Sequence, residues 1–209
     1  MGARRHLENA VQLNPELDEA RALLGWAEFF SGATRASTVT FKTALRRQPT
    51  WEGLYNGLGW SRLRLGRPQL ARDAFRASLD ANPAYTDAMA GWGLALYELD
   101  EYAAAIPALD QATATLEASL GREAPELLDL REALAWSLYR TGRFGEAAVE
   151  FERVIKVRPG GPEPQAALGW SYLRLGRRGE ARAAFQRALE LAPNSPDAVR
   201  GLSQASATP

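Results

Sequence analysis

Prolines recur along this chain at a fixed period. Pro15, Pro49 and Pro83 lie 34 residues apart, and Pro159 and Pro193 resume the same spacing. Such a period marks a repeat array, in which each unit buries its apolar face only against its neighbours. Three segments align: GWSRLRLGRPQLARDAFRASLDANP from Gly59, AWSLYRTGRFGEAAVEFERVIKVRP from Ala135 and GWSYLRLGRRGEARAAFQRALELAP from Gly169. A fourth, GWAEFFSGATRASTVTFKTALRRQP from Gly25, is more diverged. The repeat sets aside the choice between one large domain and two small ones that 209 residues would otherwise leave open.

Each unit reads as two helices. Gln165, Leu168, Gly169 and Tyr172 form one stripe at helical periodicity. Gly176 closes that helix, because glycine tolerates the left-handed cap conformation. The second helix carries Ala181, Phe185 and Ala188 on one face and stops before Pro193. Small residues at 169, 181 and 188 let the two helices approach, and Phe185 fills the gap. No segment sustains period-2 alternation, so no sheet is expected.

Composition excludes several function classes. Apolar residues make up 46% and charged residues 24%, which excludes a disordered chain. No run approaches the ~20 apolar residues of a membrane helix, so no membrane insertion is expected. Basic and acidic residues number 25 each, so no strong field draws in nucleic acid or an anionic surface. There is no cysteine and a single histidine, His6. No catalytic set, metal site or cofactor is therefore expected, and no glycine-rich phosphate loop follows a strand. Glu123 and Glu126 read as solvated. Lys42 and Lys156 are the only lysines, so nearly every cation is an arginine, a planar donor that also stacks on aromatics.

The chain resembles the tetratricopeptide repeat family. The family's Leu-Gly pair, second-helix Ala and Phe, and closing Pro appear as Leu58-Gly59, Ala71, Phe75 and Pro83. They recur as Leu168-Gly169, Ala181, Phe185 and Pro193, with Tyr172 as the first-helix aromatic. The family's leading Trp is replaced by Arg21, Tyr55, Met89, Arg131 and Gln165. The resemblance implies an all-α solenoid of helix-turn-helix units forming a right-handed superhelix, with first helices lining the concave side. It implies a non-enzymatic protein-protein interaction scaffold. The units are expected at 18–51, 52–85, 86–127, 128–161 and 162–195. Residues 1–17 read as the second helix of a truncated repeat, and 196–209 as a capping helix and tail opened by Ser195-Pro196. The half-repeat suggests a piece of a longer array. The start, MGARRHLENAVQLNP, lacks a signal peptide's apolar core, and Met1-Gly2 reads as a cloning scar. The compartment stays open between cytoplasm and periplasm. The end, SQASATP, is expected to fray.

The 86–127 unit departs from the period by eight residues. Leu109 replaces the second-helix Phe, and Glu117 stands where Pro should be. TATLEASLGREAPE reads as an extended second helix ending near Gly121, with Pro125 opening the next. A tolerated insertion and a local change of superhelix curvature are both open.

With first helices on the concave side, as the resemblance implies, helix geometry says which residues face the candidate ligand groove. Residues are ~100° apart around a helix, which turns Glu163, Ala166, Trp170, Leu173 and Arg174 away from the packing stripe. The same slot as Trp170 holds Trp26, Trp60 and Trp136; the 86–127 unit has Leu94 there, and its Trp92 takes a core slot. One turn later stand Arg64, Arg140 and Arg174, each placed by the i,i+4 rule to lie over its own Trp ring. Trp51, Tyr85, Phe30, Tyr97 and Tyr139 are expected in the same wall. Glu19, Asp87, Glu98, Asp129, Glu132 and Glu163 form its acidic rim or serve only as charges favoured at helix starts. The tryptophans either bind a ligand or fill seams between neighbouring first helices. The family's chaperone-carboxylate clamp uses an Asn where Trp26, Trp60 and Trp136 stand, so that specificity is not expected.

The leading expectation is a partner peptide or helix on the Trp faces, with the arginines binding its carboxylates or carbonyls. The alternative is a polysaccharide-binding scaffold of a bacterial envelope export system, with sugar rings stacked on Trp. Head-to-tail self-association through the cut end, where Leu7, Val11 and Leu13 lack cover, is a third.

Overall fold

The computed structural model describes residues 2–207. Met1, Thr208 and Pro209 lie outside the described residues, and with them part of the expected scar and tail. Twelve α-helices and no strand occur among the described residues. The chain divides into two compact units, Met1–Asp100 and Glu101–Pro209.

The first unit holds α1 (Gly2–Leu13), α2 (Asp18–Phe30), α3 (Thr34–Leu45), α4 (Glu52–Arg64), α5 (Pro68–Ala81) and α6 (Thr86–Glu98). Each helix packs on the next from α1 to α6, so α2–α3 and α4–α5 form hairpins joined by short turns. The turns close on a left-handed residue two positions past the first helix: Gly32 at φ 83° and Gly66 at φ 65°. Asp100 holds the corresponding conformation after α6, at φ 59°.

Phenylalanine locks the hairpins together. The fully buried Phe41 ring of α3 is wedged between Gly25 of α2 and Gly57 of α4. A Cβ would lie 2.7 Å from that ring at Gly25 and 2.3 Å at Gly57. Phe75 of α5 sits likewise between Gly59 and Gly91, with would-be distances of 2.6 and 2.3 Å. The ring thus touches the first helix of its own hairpin and the first helix of the next. The sequence shows the earlier glycine of each pair as a motif residue; the later one makes the seam between hairpins. A buried hydrogen bond between the Ser37 and Ser61 hydroxyls, 2.8 Å, reinforces the first such seam.

The second unit holds α7 (Tyr102–Leu120), α8 (Leu128–Arg140), α9 (Phe144–Val157), α10 (Pro162–Arg174), α11 (Arg178–Leu191) and α12 (Pro196–Ser206). Phe185 of α11 repeats the wedge between Gly169 and Gly201, at would-be distances of 2.8 and 2.2 Å. Phe151 of α9 is as deeply buried, and there the corresponding slots hold Ala135 and Ala167. Ser195 caps α12, its hydroxyl accepting from the Ala198 amide at 3.4 Å.

The long α7 ends at Gly121, which adopts φ 91°, and Pro125–Leu127 form one short turn before α8. This stretch covers Arg131, whose side chain is 1% exposed. Arg131 donates to the Arg122 carbonyl and to Glu117, and its Nε stands 4.0 Å from Glu150 Oε2. Burial pushes the Glu150 carboxyl above its ordinary range, against the pull of Arg153 and Arg131. A buried arginine in the slot the family gives to Trp is thus matched by a carboxylate the insertion supplies. Glu123, expected to be solvated, pairs at the surface with Lys156 at 2.5 Å. No helix among the described residues is long and apolar enough to cross a membrane.

Candidate functional site

Each tryptophan after the motif small residue rides edge-on against the wedge Phe of its own hairpin. Ring centroids lie 5.4 Å apart for Trp26–Phe41, 5.3 Å for Trp60–Phe75, 5.2 Å for Trp136–Phe151 and 5.2 Å for Trp170–Phe185. The interplanar angles of 75–78° give the T-shaped contact favoured by the ring quadrupoles. All four indoles are half-buried. Trp26 also stacks on the exposed Phe30 at 5.8 Å.

Arg64, Arg140 and Arg174 do not lie over the indoles of their own helices; over Trp170 stands Arg200 instead, 5.9 Å from the ring centre. Arg64 Cζ stands 3.7 Å from the centre of the Phe29 ring, and its Nη1 donates to the Phe29 carbonyl at 2.6 Å. Arg140 reaches Tyr102 at 5.1 Å, and Arg174 reaches Phe144 at 4.6 Å. The expected Arg-over-own-Trp stack is therefore corrected. The i,i+4 rule fixes only the helix face, while the guanidinium on its long stem extends to the aromatic of the preceding hairpin. There it gains a cation–π contact and, for Arg64, a hydrogen bond. The arginines join hairpins.

The indole N–H groups separate the tryptophans further. Trp60 Nε1 donates to Asp87 Oδ2 at 3.1 Å, and Trp170 Nε1 donates to Asp197 Oδ2 at 2.8 Å. Each acceptor lies 27 positions on, in the first turn of the next first helix. Asp87 also accepts from Asn56 at 2.6 Å, and Asp197 Oδ1 accepts from Arg200 at 2.6 Å. Trp60 and Trp170 are thus tied across seams. The 27-residue offset was readable in the sequence, where these acids pass for ordinary helix-start charges. At the same offset Trp26 has Gly53, which carries no acceptor, and Trp136 has Glu163. Neither the Trp136 indole nitrogen nor the Glu163 carboxylate has a hydrogen-bond or ion-pair partner among the described residues.

An open cavity of about 550 Å³ lies there in the second unit. It is lined by Trp136, Pro162, Glu163, Ala166, Ala192, Pro193, Asn194, Ser195 and Asp197, with no basic residue among them. Trp136 and Glu163 were expected in the groove; the Pro193–Ser195 loop was not. Tyr139 borders Trp136 at 5.9 Å and Phe144 at 5.3 Å, and burial raises its phenol pKa.

The first unit has a smaller cavity, about 380 Å³, lined by Glu16, Asp18, Glu19, Gln48 and Trp51. Trp51 opens α4 and packs against the Phe41 core. Arg47 spans two of the acids, with bonds of 2.9 Å to Glu16 and 2.9 Å to Asp18. The Arg47 hydrogen bond holds the Glu16 carboxyl below its usual range, and Asp18 is lowered chiefly by the bond from Gln48. Tyr85 opens α6 within hydrogen-bonding distance of Asn56, and burial raises its pKa. Tyr97 is half-buried, and Glu98 is the exposed last residue of α6. Of the expected rim, Glu132 pairs with Arg158.

Helical hairpins sealed by a second-helix Phe between small residues define an all-α solenoid class of repeat protein. Tetratricopeptide repeat models match residues 53–85, 85–160, 132–196 and 166–208. The chain belongs to the tetratricopeptide repeat family, whose members are protein-interaction scaffolds and generally not enzymes. Among solved structures it is similar to YrrB, a TPR protein with an unusual peptide-binding site, at 19% identity and TM-score 0.80. That alignment covers 94% of this chain and 97% of YrrB. MamA is similar at 22% identity and TM-score 0.73, over 82% of this chain and 96% of that one. A chain of the APC/C hetero-tetramer Cut9-Hcn1 matches at 16% identity and TM-score 0.71, over 98% of this chain and 39% of that one. These likenesses bear on the fold. No curated protein matches the chain by sequence.

Proposed function

We propose that this chain binds a peptide segment of a partner protein, and that the cavity beside Trp136 is a principal contact. The observation that carries this is the open cavity of about 550 Å³ against a half-buried tryptophan whose N–H has no hydrogen-bond partner among the described residues. Tryptophan is among the residues most enriched at binding hot spots, because it buries a large area at low entropic cost. The like-folded YrrB carries a peptide-binding site. Arg64, Arg140 and Arg174, which helix spacing offers as ligand-binding cations, instead join hairpins, and ligand contact falls to the Trp136 indole and the loop at 193–195.

The test is selection of peptides from a displayed library on the purified chain, followed by titration of the best binders into Trp136→Ala. Loss of binding of roughly tenfold or more, the scale of a hot-spot truncation, with the helical circular dichroism retained, supports the reading. Binding untouched by Trp136→Ala, or a response to soluble polysaccharides alone, sinks it.

A further inference from the structure

Two of the three acids placed 27 residues after a tryptophan are consumed by that indole, Asp87 by Trp60 and Asp197 by Trp170. The third pair stays open. Glu163 and Trp136 line one cavity, and neither the Glu163 carboxylate nor the Trp136 indole nitrogen is bonded to any described residue. The other carboxylate there, Asp197, is engaged by Trp170 and Arg200. Asn194 and Ser195 are neutral, and the rest of the lining is apolar.

The cavity therefore offers one unpaired negative charge, one unused N–H donor and an aromatic surface, with no positive group. A ligand that satisfies all three brings a cation rich in N–H donors and a carbonyl close beside it. An arginine residue within a peptide does so. Its guanidinium forks onto a carboxylate with two charge-assisted hydrogen bonds and lies flat on an aromatic ring. Its backbone carbonyl can accept from the indole. The chain's own Arg47, set between Glu16 and Asp18 beside the Trp51 cavity, shows the same chemistry satisfied internally.

We infer that the cavity beside Trp136 recognises an arginine side chain of the partner peptide, through Glu163 and the Trp136 indole. This rests on the peptide-scaffold reading above and reverses the polarity first expected. The ligand supplies the cation, and the groove supplies the anion.

The chain has six tryptophans, so an NMR spectrum of ¹⁵N-labelled protein resolves few indole N–H peaks, and Trp136→Phe identifies the relevant one. N-acetyl-arginine methylamide, its norleucine counterpart and its glutamate counterpart are titrated separately. The arginine compound is expected to move the Trp136 peak saturably, at about tenfold lower concentration than norleucine, a preference within reach of one charge-assisted pair. Glutamate is expected to leave the peak in place. Glu163→Gln should erase the arginine preference without moving the Trp60 and Trp170 peaks. Equal response to norleucine or glutamate, an unchanged arginine response in Glu163→Gln, or a stationary Trp136 peak overturns the inference. Library-selected peptides then separate the two levels. If peptides lacking basic residues move the Trp136 peak, the arginine inference falls and the scaffold reading stands. If no selected peptide moves it, both fall.

Discussion

Trp60 in the first unit and Trp136 in the second occupy the same motif slot and stack on their Phe at nearly the same distance, 5.3 and 5.2 Å. Their surroundings differ at the position 27 residues on. Trp60 meets an aspartate that takes its N–H, whereas Trp136 meets a longer glutamate that does not. The first arrangement closes a seam, and the second leaves a cavity lined with unused polar groups. A repeated residue in a repeat protein thus need not repeat its task. The question of seam or ligand contact is therefore asked of each tryptophan separately.

The wedge phenylalanines offer the strongest way to break this comparison, because both units rest on them. Phe75→Ala and Phe185→Ala are each expected to lower unfolding free energy by about 3–5 kcal/mol, the usual cost of emptying a buried aromatic site. Urea denaturation followed by circular dichroism measures it; a loss below ~1 kcal/mol would contradict the wedge.

Next in size is the close approach at the seam. A Cβ at Gly91 would stand 2.3 Å from the Phe75 ring, so Gly91→Ala is expected to cost about 1–3 kcal/mol through overpacking. The corresponding slot at Ala167 already holds a methyl group, and Ala167→Gly should cost only about 0.5–1 kcal/mol, the helix-interior penalty. Equal effects would show that the two seams are not built differently.

The acids test the comparison itself. Asp87 accepts from both Trp60 and Asn56, so Asp87→Ala should destabilise the fold by about 1–3 kcal/mol. Glu163→Gln, with no bond to lose, should stay within about 0.5 kcal/mol of the parent. Thermal melts of the two variants, run side by side, decide it.

The smallest effect is confined to alkaline solution. Burial, aided by the hydrogen bond to Glu152, pushes the Tyr172 phenol up to about 12 from 10.0. An acid whose folded pKa is raised keeps its proton in the folded state while the unfolded chain loses it. The stabilisation is therefore complete below pH 10.0 and is lost as pH climbs toward about 12. Tyr172→Phe should flatten the fall in melting temperature across that window; an unchanged slope would place the titration elsewhere.

Much of the fold could be read from the sequence, because a repeat writes the same packing several times. Gly169, Ala181 and Phe185 announce the close approach by size alone, and Gly176 announces the turn that adopts φ 76°. The later glycine of each wedge was visible too, at Gly57, Gly91 and Gly201, but its meaning depends on which hairpin comes next to the ring. The arginines were misplaced for the same reason. Helix periodicity places Arg140 above Trp136, yet its partner Tyr102 lies on another hairpin, where only tertiary register brings the two together. Arg131 shows the limit most plainly. A charged residue in an apolar slot looks like divergence until Glu117 and the Arg122 carbonyl, both from the insertion, are seen to hold it.

The Trp136 indole N–H has no acceptor where those of Trp60 and Trp170 are held. Exchange of the indole hydrogens with water measures this directly and needs no ligand. In the free protein the Trp60 and Trp170 N–H signals should exchange slowly, held by Asp87 and Asp197, and the Trp136 signal should exchange fast. A Trp136 hydrogen as protected as that of Trp60 would mean that the two sites are closed alike.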